Sequence, residues 1–299
     1  STAMQPADFL GGGRPAALPS VGGMMPKVLA RFDPATDQIT LDLGGGAPAS
    51  RSGVAVVVKV EPSGYDGIVE LEGLAYAACA AAGLPVPRIW VLRPPEFRPL
   101  LLVERIDIGA DGSATPMESL FSILFEATAR GRGGRVTTAN AAPYEMVSAA
   151  LRMPNILPDL DRAAAAEQLF RHVLISLLIG NGDLHLRNLA LLGSRAQCGL
   201  APVYDPAPMR AWDEHNIVSA CNLGGLDLER AIAPPALGDA VTAFAIACGL
   251  SASARARAIE QCLEAGSGFL AAVENCAAPE ACRWGLVKRA GQVRAVIGG

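Results

Sequence analysis

The chain has 299 residues, 51% of them hydrophobic, and 25 basic against 29 acidic side chains give it a formal net charge of −4. This length and composition predict a folded protein of one or two domains with a sizeable core, and they exclude a disordered chain. The slight acidity argues against a broad surface for nucleic acid or for an anionic membrane.

The first third of the chain, residues 20 to 104, has the pattern of short strands joined by Gly/Pro turns. Val54 to Val60 is a β-branched run, and Trp90 to Leu92 and Leu100 to Val103 are shorter apolar runs. These three segments predict strands. Between them, Ile68 to Ala82 places its apolar residues at helical spacing and predicts one helix.

Helical patterns dominate from about residue 115 onward. The strongest runs from Asp161 to Ile179 and carries a continuous apolar stripe before two glycines interrupt it. Two strand-like pieces follow, Leu189 to Leu192 and Pro202 to Tyr204. The rest, from Leu226, predicts a helical tail.

This order of elements predicts an α+β fold in two lobes. Residues 1–104 form the small β-rich lobe and residues 105–299 the larger helical lobe, with the crossover near Val103 to Asp107. Because ligand clefts favour such junctions, we expect the functional site between the lobes.

The residues most indicative of chemistry follow the long helix. Asp183 and Asn188 stand five residues apart, and Asp205 follows seventeen residues later. The spacing D-x-x-x-x-N matches the catalytic loop of protein kinases, in which the Asp accepts the substrate hydroxyl's proton and the Asn binds magnesium. An Asp/Asn/Gly cluster after a helix is also ordinary turn chemistry. However, these residues and His185 lie in very hydrophobic sequence, where buried polar groups need partners.

A second candidate group lies upstream. Lys59 stands alone among β-branched residues, either as an outward-facing side chain or as the buried lysine that contacts ATP phosphates in kinases. Glu72, on the following helix, is a candidate carboxylate partner or a solvated helix residue. A Gly-containing turn precedes the strand Val28 to Arg31, and it is either a hairpin turn or a loop whose N–H groups cover phosphates. Its candidate residues are Ser20, Val21, Gly22 and Gly23.

Taken in this order, the segments from about Ser20 to Met209 resemble the HipA-like kinases, the toxins of bacterial toxin–antitoxin systems. The most specific matches are G-N-G-D-L-H-L-R-N, similar to the family's N-x-D-x-H-x-x-N, and L-A-P-V-Y-D, similar to L-A-P-x-Y-D. L-L-V-E-R-I-D resembles the crossover L-x-V-x-R-F-D. S-V-G-G-M-M-P-K resembles the Gly-rich loop S-x-x-G-x-Q-x-K more loosely.

The resemblance implies ATP and Mg²⁺ as cofactors, and it implies a role for each candidate residue. Asp183 would be the catalytic base, and His185 would support its loop or touch phosphate. Lys59 and the Ser20–Gly23 loop would contact the phosphates, and Asn188 and Asp205 would bind magnesium. Glu104, through its backbone, and Ile106 would contact adenine. Ser20 also matches the position at which family members phosphorylate themselves, which disturbs the Gly-rich loop through added negative charge.

The implied function is a protein serine/threonine kinase that phosphorylates a translation-machinery protein, such as an aminoacyl-tRNA synthetase. An implied partner is a HipB-like, DNA-binding antitoxin. Nineteen residues precede Ser20, so we expect a short form whose N-terminal subdomain is a separate protein or absent.

The sequence departs from the family pattern at two positions of the nucleotide site. Met25 replaces the usual Gln and Ile106 the usual Phe. These departures leave two alternatives open: an ATP-binding pseudokinase that acts as a binding module, and a small-molecule kinase.

The cysteines indicate the compartment. Seven are dispersed without a C-x-x-C pair, which predicts free thiols in a reducing environment and no zinc site. No signal peptide is evident, and the longest apolar stretch, Val173 to Ile179, is too short to span a bilayer. We therefore expect a cytoplasmic protein without membrane contact. The resemblance implies a protein substrate, and the slight acidity predicts no direct binding of nucleic acid.

Overall fold

The structure is a computed structural model that describes residues 25–41, 53–109, 111–129, 138–140, 142–152, 160–194 and 197–298. Its N-terminal part is an antiparallel five-stranded sheet with one helix. The sheet has the strand order β2-β1-β3-β5-β4. The elements are β1 (Lys27–Asp33), β2 (Gln38–Leu41), β3 (Val54–Val60), α1 (Ile68–Ala81), β4 (Ile89–Leu92) and β5 (Leu100–Glu104). We call this part the N-terminal lobe.

The central strand β3 separates two environments by the alternation of its side chains. Val56 and Val58 pack with Phe32 and Leu102 in a small cluster on one face of the sheet. Val57 and Lys59 project from the other face, where α1 and the second lobe lie. The strand therefore buries Lys59 on the side of the sheet that faces the rest of the protein.

The C-terminal lobe is mainly helical and contains a second, three-stranded antiparallel sheet of order β6-β7-β8. Its elements are β6 (Met117–Ser119), α2 (Leu120–Ala129), α3 (Tyr144–Leu151), α4 (Arg162–Ile179), β7 (Ala190–Ser194), β8 (Gln197–Leu200), α5 (Leu237–Ala247), α6 (Ala252–Glu274) and α7 (Glu280–Gly298). Two short 3₁₀ turns, Met209–Ala211 and Asp213–His215, follow the second sheet. One large core joins these helices to α1.

Helix α4 forms the centre of this lobe. Asp161 caps its N-terminus by accepting a hydrogen bond from the Ala164 N–H at 3.0 Å, and almost every side chain from Leu169 to Ile179 is buried. Gly180 ends the helix in the left-handed conformation, with φ 75°. The helix thereby delivers the segment after it to the junction of the lobes.

Helix α1 is attached to the C-terminal lobe at its carboxyl end. Arg171 of α4 donates to the Ala82 carbonyl at 3.0 Å, and Gln261 of α6 donates to the Ala81 carbonyl at 3.0 Å. The same two side chains bind each other at 2.7 Å. These bonds satisfy carbonyls that the end of a helix leaves without partners.

Two sequence predictions of secondary structure are wrong. Residues 202–204 form no strand, because their backbone turns toward the other lobe, where the Val203 N–H donates to the Pro85 carbonyl at 2.9 Å. The last strand of the second sheet is instead β8. The helical tail begins at Leu237 rather than Leu226, because Pro234 and Pro235 prevent an earlier start.

All seven cysteines are free. Among the residues that the structure describes, no helix has the length and apolar character needed to cross a membrane.

Candidate active site

A cavity of about 500 Å³ lies between the two lobes. This volume is typical of a site for a small molecule or cofactor. The N-terminal lobe contributes apolar side chains and two lysines, and the C-terminal lobe contributes most of the polar ones. The lining residues are Met25, Lys27, Val57, Lys59, Pro62, Tyr65, Ile68, Tyr76, Val103, Asp183, His185, Arg187, Asn188, Tyr204, Asp205, Ala207 and Met209.

The loop after α4 brings Asp183, His185 and Asn188 into this cavity, and its first residues leave no room for side chains. A Cβ at Gly180 would lie 2.7 Å from the Leu286 side chain. A Cβ at Gly182 would lie 2.5 Å from the Ile217 carbonyl oxygen, a backbone atom that cannot move aside cheaply. Both glycines are therefore required for the loop to reach the cavity.

Hydrogen bonds to its backbone hold the loop in place. The Asn188 amide donates to the Asp183 carbonyl at 3.0 Å, and the Asp183 N–H donates to the Asn181 side chain at 3.1 Å. From the neighbouring helix α3, the Tyr144 hydroxyl donates to the Leu184 carbonyl at 2.7 Å. Tyr204 donates in the same way to the Arg187 carbonyl at 2.7 Å. The Asp183 carboxylate is thus carried on a preorganised backbone.

Asp183 has the surroundings of a proton acceptor. Its side chain is 55% exposed, so it is only partly removed from water. This partial burial raises the pKa of its carboxyl above the usual value for aspartate, and Asp205 adds to the rise, while His185 and His215 oppose it. The His185 Nε2 atom lies 4.0 Å from an Asp183 carboxylate oxygen. A carboxylate with a raised pKa is a stronger base than a solvated one.

Lys59 is the centre of a buried ion network. Lys59 is 4% exposed, and its ammonium group binds both Glu72, which is 0% exposed, and Asp205. Burial alone would lower the pKa of Lys59, but the two carboxylates outweigh burial and hold that pKa above its usual value. Lys59 is therefore a buried, permanently charged ammonium group, as the phosphate-binding role requires.

Lys27 extends this network to a second strand. Its ammonium group binds the other Asp205 carboxylate oxygen at 2.7 Å. Burial favours the neutral form of Asp205, but Lys59 and Lys27 outweigh burial and hold the pKa of the Asp205 carboxyl far below its usual value. Asp205 is thus an anion in the folded protein.

The backbone at Asp205 is itself unusual. Its φ of 58° lies in the left-handed region, which side chains other than glycine rarely adopt. The Asp205 N–H donates to the Tyr76 hydroxyl at 3.2 Å, and Tyr76 is a buried residue of α1. Such strained positions cluster at functional sites, where surrounding contacts stabilise them.

The side chains at this end of the cavity suit a hard divalent cation. With its Nδ2 donating to Asp183, Asn188 keeps Oδ1 free of any hydrogen-bond partner among the described residues. Asn188 shares the cavity with the Asp205 carboxylate, and amide and carboxylate oxygens are the kinds of ligand that Mg²⁺ prefers. Over the same part of the chain there is no cluster of three His, Cys, Asp or Glu side chains that would suit a metal.

Five of the predicted site residues line the one cavity: Lys59, Asp183, His185, Asn188 and Asp205. Ser20, Val21, Gly22 and Gly23 lie outside the described residues.

Glu104 and Ile106 are not among the residues that line the cavity. The adenine contact predicted for Glu104 is through its backbone and stays a prediction, as does that of Ile106. Side chains alternate along β5, so Val103 faces the cavity and Glu104 the opposite side. There the Glu104 carboxylate binds Arg88 at 2.6 Å and 2.8 Å, and its N–H donates to the Arg88 carbonyl. Of these three crossover residues, only Val103 lines the cavity.

Sequence reasoning assigned no role to several residues of the site. Lys27 reaches Asp205 only because β1 and β3 pair in the register that sets Lys27 opposite Lys59. Tyr76 was recognisable only as an apolar helix residue. Tyr144 lies about forty residues before the loop, and its contact with the Leu184 carbonyl depends on how α3 packs. Each of these contacts joins segments far apart in the chain, and none leaves a local signal.

The chain was compared with protein families and with proteins of known structure. The model of the family described as the HipA-like C-terminal domain matches residues 19–268. No curated protein matches the chain.

Two solved structures have a similar fold. HipA in the complex of the Shewanella oneidensis MR-1 toxin–antitoxin system with HipB and operator DNA is 17% identical, with a TM-score of 0.63. The match covers 95% of this chain but 65% of HipA, so the chain spans just under two thirds of that protein. The Helicobacter pylori proinflammatory kinase CtkA is 11% identical, with a TM-score of 0.56 and coverage of 92% and 90%. At these identities the likeness shows the fold. It confirms the predicted α+β, two-lobed kinase-like fold.

Proposed function

Since the chain belongs to the family of the HipA-like C-terminal domain, we propose that it is a protein serine/threonine kinase that uses ATP and Mg²⁺. One observation carries the proposal. Asp183, Asn188, Asp205 and a charged, buried Lys59 all line a single cavity between a β-rich and a helical lobe. This is the residue set that phosphoryl transfer requires: a base, metal ligands and a phosphate-binding cation.

In the proposed reaction the substrate hydroxyl oxygen bonds to the γ-phosphorus of ATP, and the bond from that phosphorus to the β–γ bridging oxygen breaks. ADP leaves with the bonding electrons, and the hydroxyl proton passes to the Asp183 carboxylate. The raised pKa of Asp183 suits this acceptance. Lys59 would bind the α- and β-phosphates, and His185 would support the loop or touch phosphate.

Asn188 and Asp205 would hold magnesium, since both line the same cavity. The ion would replace the lysine ammonium groups as a partner of Asp205, whose two carboxylate oxygens bind Lys27 and Lys59. When bound, the ion neutralises charge on the phosphates. Because Asp205 is fixed as an anion by two lysines, it needs no deprotonation before it binds a cation.

The wider proposal follows the family. The substrate would be a protein of the translation machinery, such as an aminoacyl-tRNA synthetase, and the partner a HipB-like antitoxin. The HipA of similar fold occurs in a complex with HipB and operator DNA, which supports such a partner. Ser20 would be a site of autophosphorylation. Seven free thiols support a reducing compartment, the cytoplasm.

The test is phosphate transfer by the wild type, by Asp183→Asn and by a control, Asp227→Asn, which changes an exposed carboxylate paired with Arg230. Phosphate is followed by intact mass of the protein itself and by incorporation into a degenerate Ser/Thr peptide library. We expect the wild type and control to transfer phosphate and Asp183→Asn to be slower by about 10²- to 10⁴-fold, the usual worth of a general base.

Other outcomes would favour the alternatives. ATP binding, seen as a raised melting temperature, without transfer to any acceptor would indicate a pseudokinase. Transfer to small alcohols or sugars but not to peptides or proteins would indicate a small-molecule kinase. The absence of ATP binding would contradict the assignment of the site.

A further inference from the structure

Arg187 occupies a special position in the catalytic loop. It lies between Asp183 and Asn188, lines the cavity and is exposed, so it stands at the rim. Its backbone carbonyl is fixed by the Tyr204 hydroxyl, as described above. The side chain therefore extends from a rigid backbone only four residues from the proposed catalytic base.

The guanidinium group of Arg187 packs on an aromatic ring. Its central carbon lies 4.7 Å from the centroid of Phe121 in α2, within the range of a cation–π contact. Phe121 itself does not line the cavity. The contact therefore holds the positive charge toward α2 and away from the strands that carry Lys27 and Lys59.

Arg187 also differs from the other cations of the cavity in its charge balance. Lys27 and Lys59 share the Asp205 carboxylate, and Lys59 also binds Glu72. Within the described part of the chain, no carboxylate forms an ion pair with Arg187. Among the described residues, the rim of the cavity thus carries a positive charge without a paired carboxylate.

An apolar surface continues from this charge along α2. The rings of Phe121 and Phe125 lie 5.8 Å apart, centroid to centroid, and Phe125 is 44% exposed. An exposed aromatic side chain beside a functional cleft is more informative than an isolated surface apolar residue. We call Phe121, Phe125 and Arg187 together the rim surface.

We propose that the rim surface binds the segment of the protein substrate that flanks the acceptor hydroxyl, and that it selects an acidic residue together with an apolar one. This inference rests on the proposed kinase function. The acidic residue would pair with the Arg187 guanidinium, whose planar fork suits a carboxylate. The apolar residue would cover the exposed face of Phe125. Charge complementarity of this kind selects between partners more than it adds affinity.

The experiment uses the full chain and two degenerate peptide arrays with flanking positions that are acidic, basic, apolar or neutral. One array has Ser at the acceptor position and reports phosphate transfer. The other has Ala there and reports binding without any chemistry. The variants are Arg187→Ala, Arg187→Glu and Phe125→Ala. Matched controls are Arg257→Glu and Ile246→Ala, which change exposed residues on α6 and α5 that do not line the cavity.

We expect the wild type to prefer acidic flanking residues on both arrays. The preference should fall about fivefold in Arg187→Ala, as for an exposed ion pair, and reverse in Arg187→Glu. Phe125→Ala should lose the preference for an apolar neighbour while keeping the acidic one. The two controls should select as the wild type does.

Four outcomes separate this inference from the proposed function. Transfer without acidic preference, or with a preference unchanged in Arg187→Glu, would overturn the inference and leave the kinase function standing. Weaker ATP binding in Arg187→Ala with unchanged peptide selection would assign Arg187 to the nucleotide and also overturn it. Acidic selection on the Ala array without transfer on the Ser array would support the rim surface and contradict the kinase function. No selection and no transfer would contradict both.

Discussion

Lys27 and Lys59 lie directly opposite each other on β1 and β3, and their ammonium groups bind the two oxygens of one carboxylate, Asp205. Like charges in opposite positions of a sheet repel each other. The shared anion offsets this repulsion and links the two strands to the C-terminal lobe. The two lysines thus form an anion site, which the Asp205 carboxylate occupies.

The first prediction concerns the partner of Lys59 on α1. Lys59→Met leaves the fully buried Glu72 carboxylate without its cation, and we expect a loss of about 3 kcal/mol in the free energy of unfolding. The double variant Lys59→Met/Glu72→Leu replaces the pair by apolar groups and should recover most of that stability without recovering phosphate transfer. Urea denaturation and a transfer assay measure the two effects. A double variant as unstable as the single one would show that the lost stability has another source.

The second prediction concerns pH. Burial lowers the pKa of His172, on α4, to about 4, against about 6.5 in the unfolded chain. Because the folded pKa is the lower one, His172 contributes stability that is full above pH 6.5 and is lost as the pH falls toward 4. From pH 7.5 to pH 5.5 we expect protonation of His172 in the unfolded chain to lower the free energy of unfolding by about 1.4 kcal/mol. Urea denaturation at both values should show that loss in the wild type and a smaller one in His172→Leu; equal losses would contradict the prediction.

The third prediction tests the close approach at Gly182. Gly182→Ala sets a Cβ against the Ile217 carbonyl oxygen and should cost about 2 kcal/mol or more. The rate of phosphate transfer by this variant should fall by more than the loss of folded protein explains, because the displaced segment carries Asp183. The control Gly268→Ala lies within α6 with nothing within 4 Å of the new Cβ, and it should stabilise the protein by about 0.5–1 kcal/mol. Thermal unfolding of both variants is the measurement, and a neutral Gly182→Ala would contradict the packing described here.

The fourth prediction concerns the carboxyl end of α1. Arg171→Met removes the bond to the Ala82 carbonyl and the bond to Gln261, and we expect a loss of about 1–2 kcal/mol. Hydrogen exchange should rise in the last turn of α1, with little change in the sheet. Arg257→Met, an exposed change on α6, should leave the exchange of α1 as in the wild type. Unchanged protection of α1 in Arg171→Met would show that apolar packing alone holds its end.

The sequence predicts the core of the site because that part is local. Asp183 and Asn188 belong to one turn, so their spacing in the chain already fixes their spacing in space. Lys59 is recognisable because a lone lysine in a β-branched strand needs a partner. The main helices and the four predicted N-terminal strands are likewise local patterns, and the structure contains them with small shifts of their ends.

What the sequence could not predict depends on contacts between distant segments. The role of Lys27 needs the register of β1 with β3, and that of Tyr144 needs α3 to pack beside the loop. The outward direction of Glu104 was within reach, because alternation along β5 sets it opposite Val103. The adenine contact implied by the family motif is through the Glu104 backbone, so it stays a prediction whatever the direction of the side chain.

Helix α1 lies between two strands of the five-stranded sheet in the chain, but it packs in one core with the helices of the C-terminal lobe. Its carboxyl end is fastened by side chains of α4 and α6, and a Cβ at Gly67, just before its start, would lie 2.6 Å from Ala278. Unfolding of the sheet would expose buried residues of α1, and unfolding of the helical lobe would remove the side chains that pack against α1. Heat should therefore unfold the protein in one cooperative transition, with equal calorimetric and van't Hoff enthalpies, rather than lobe by lobe.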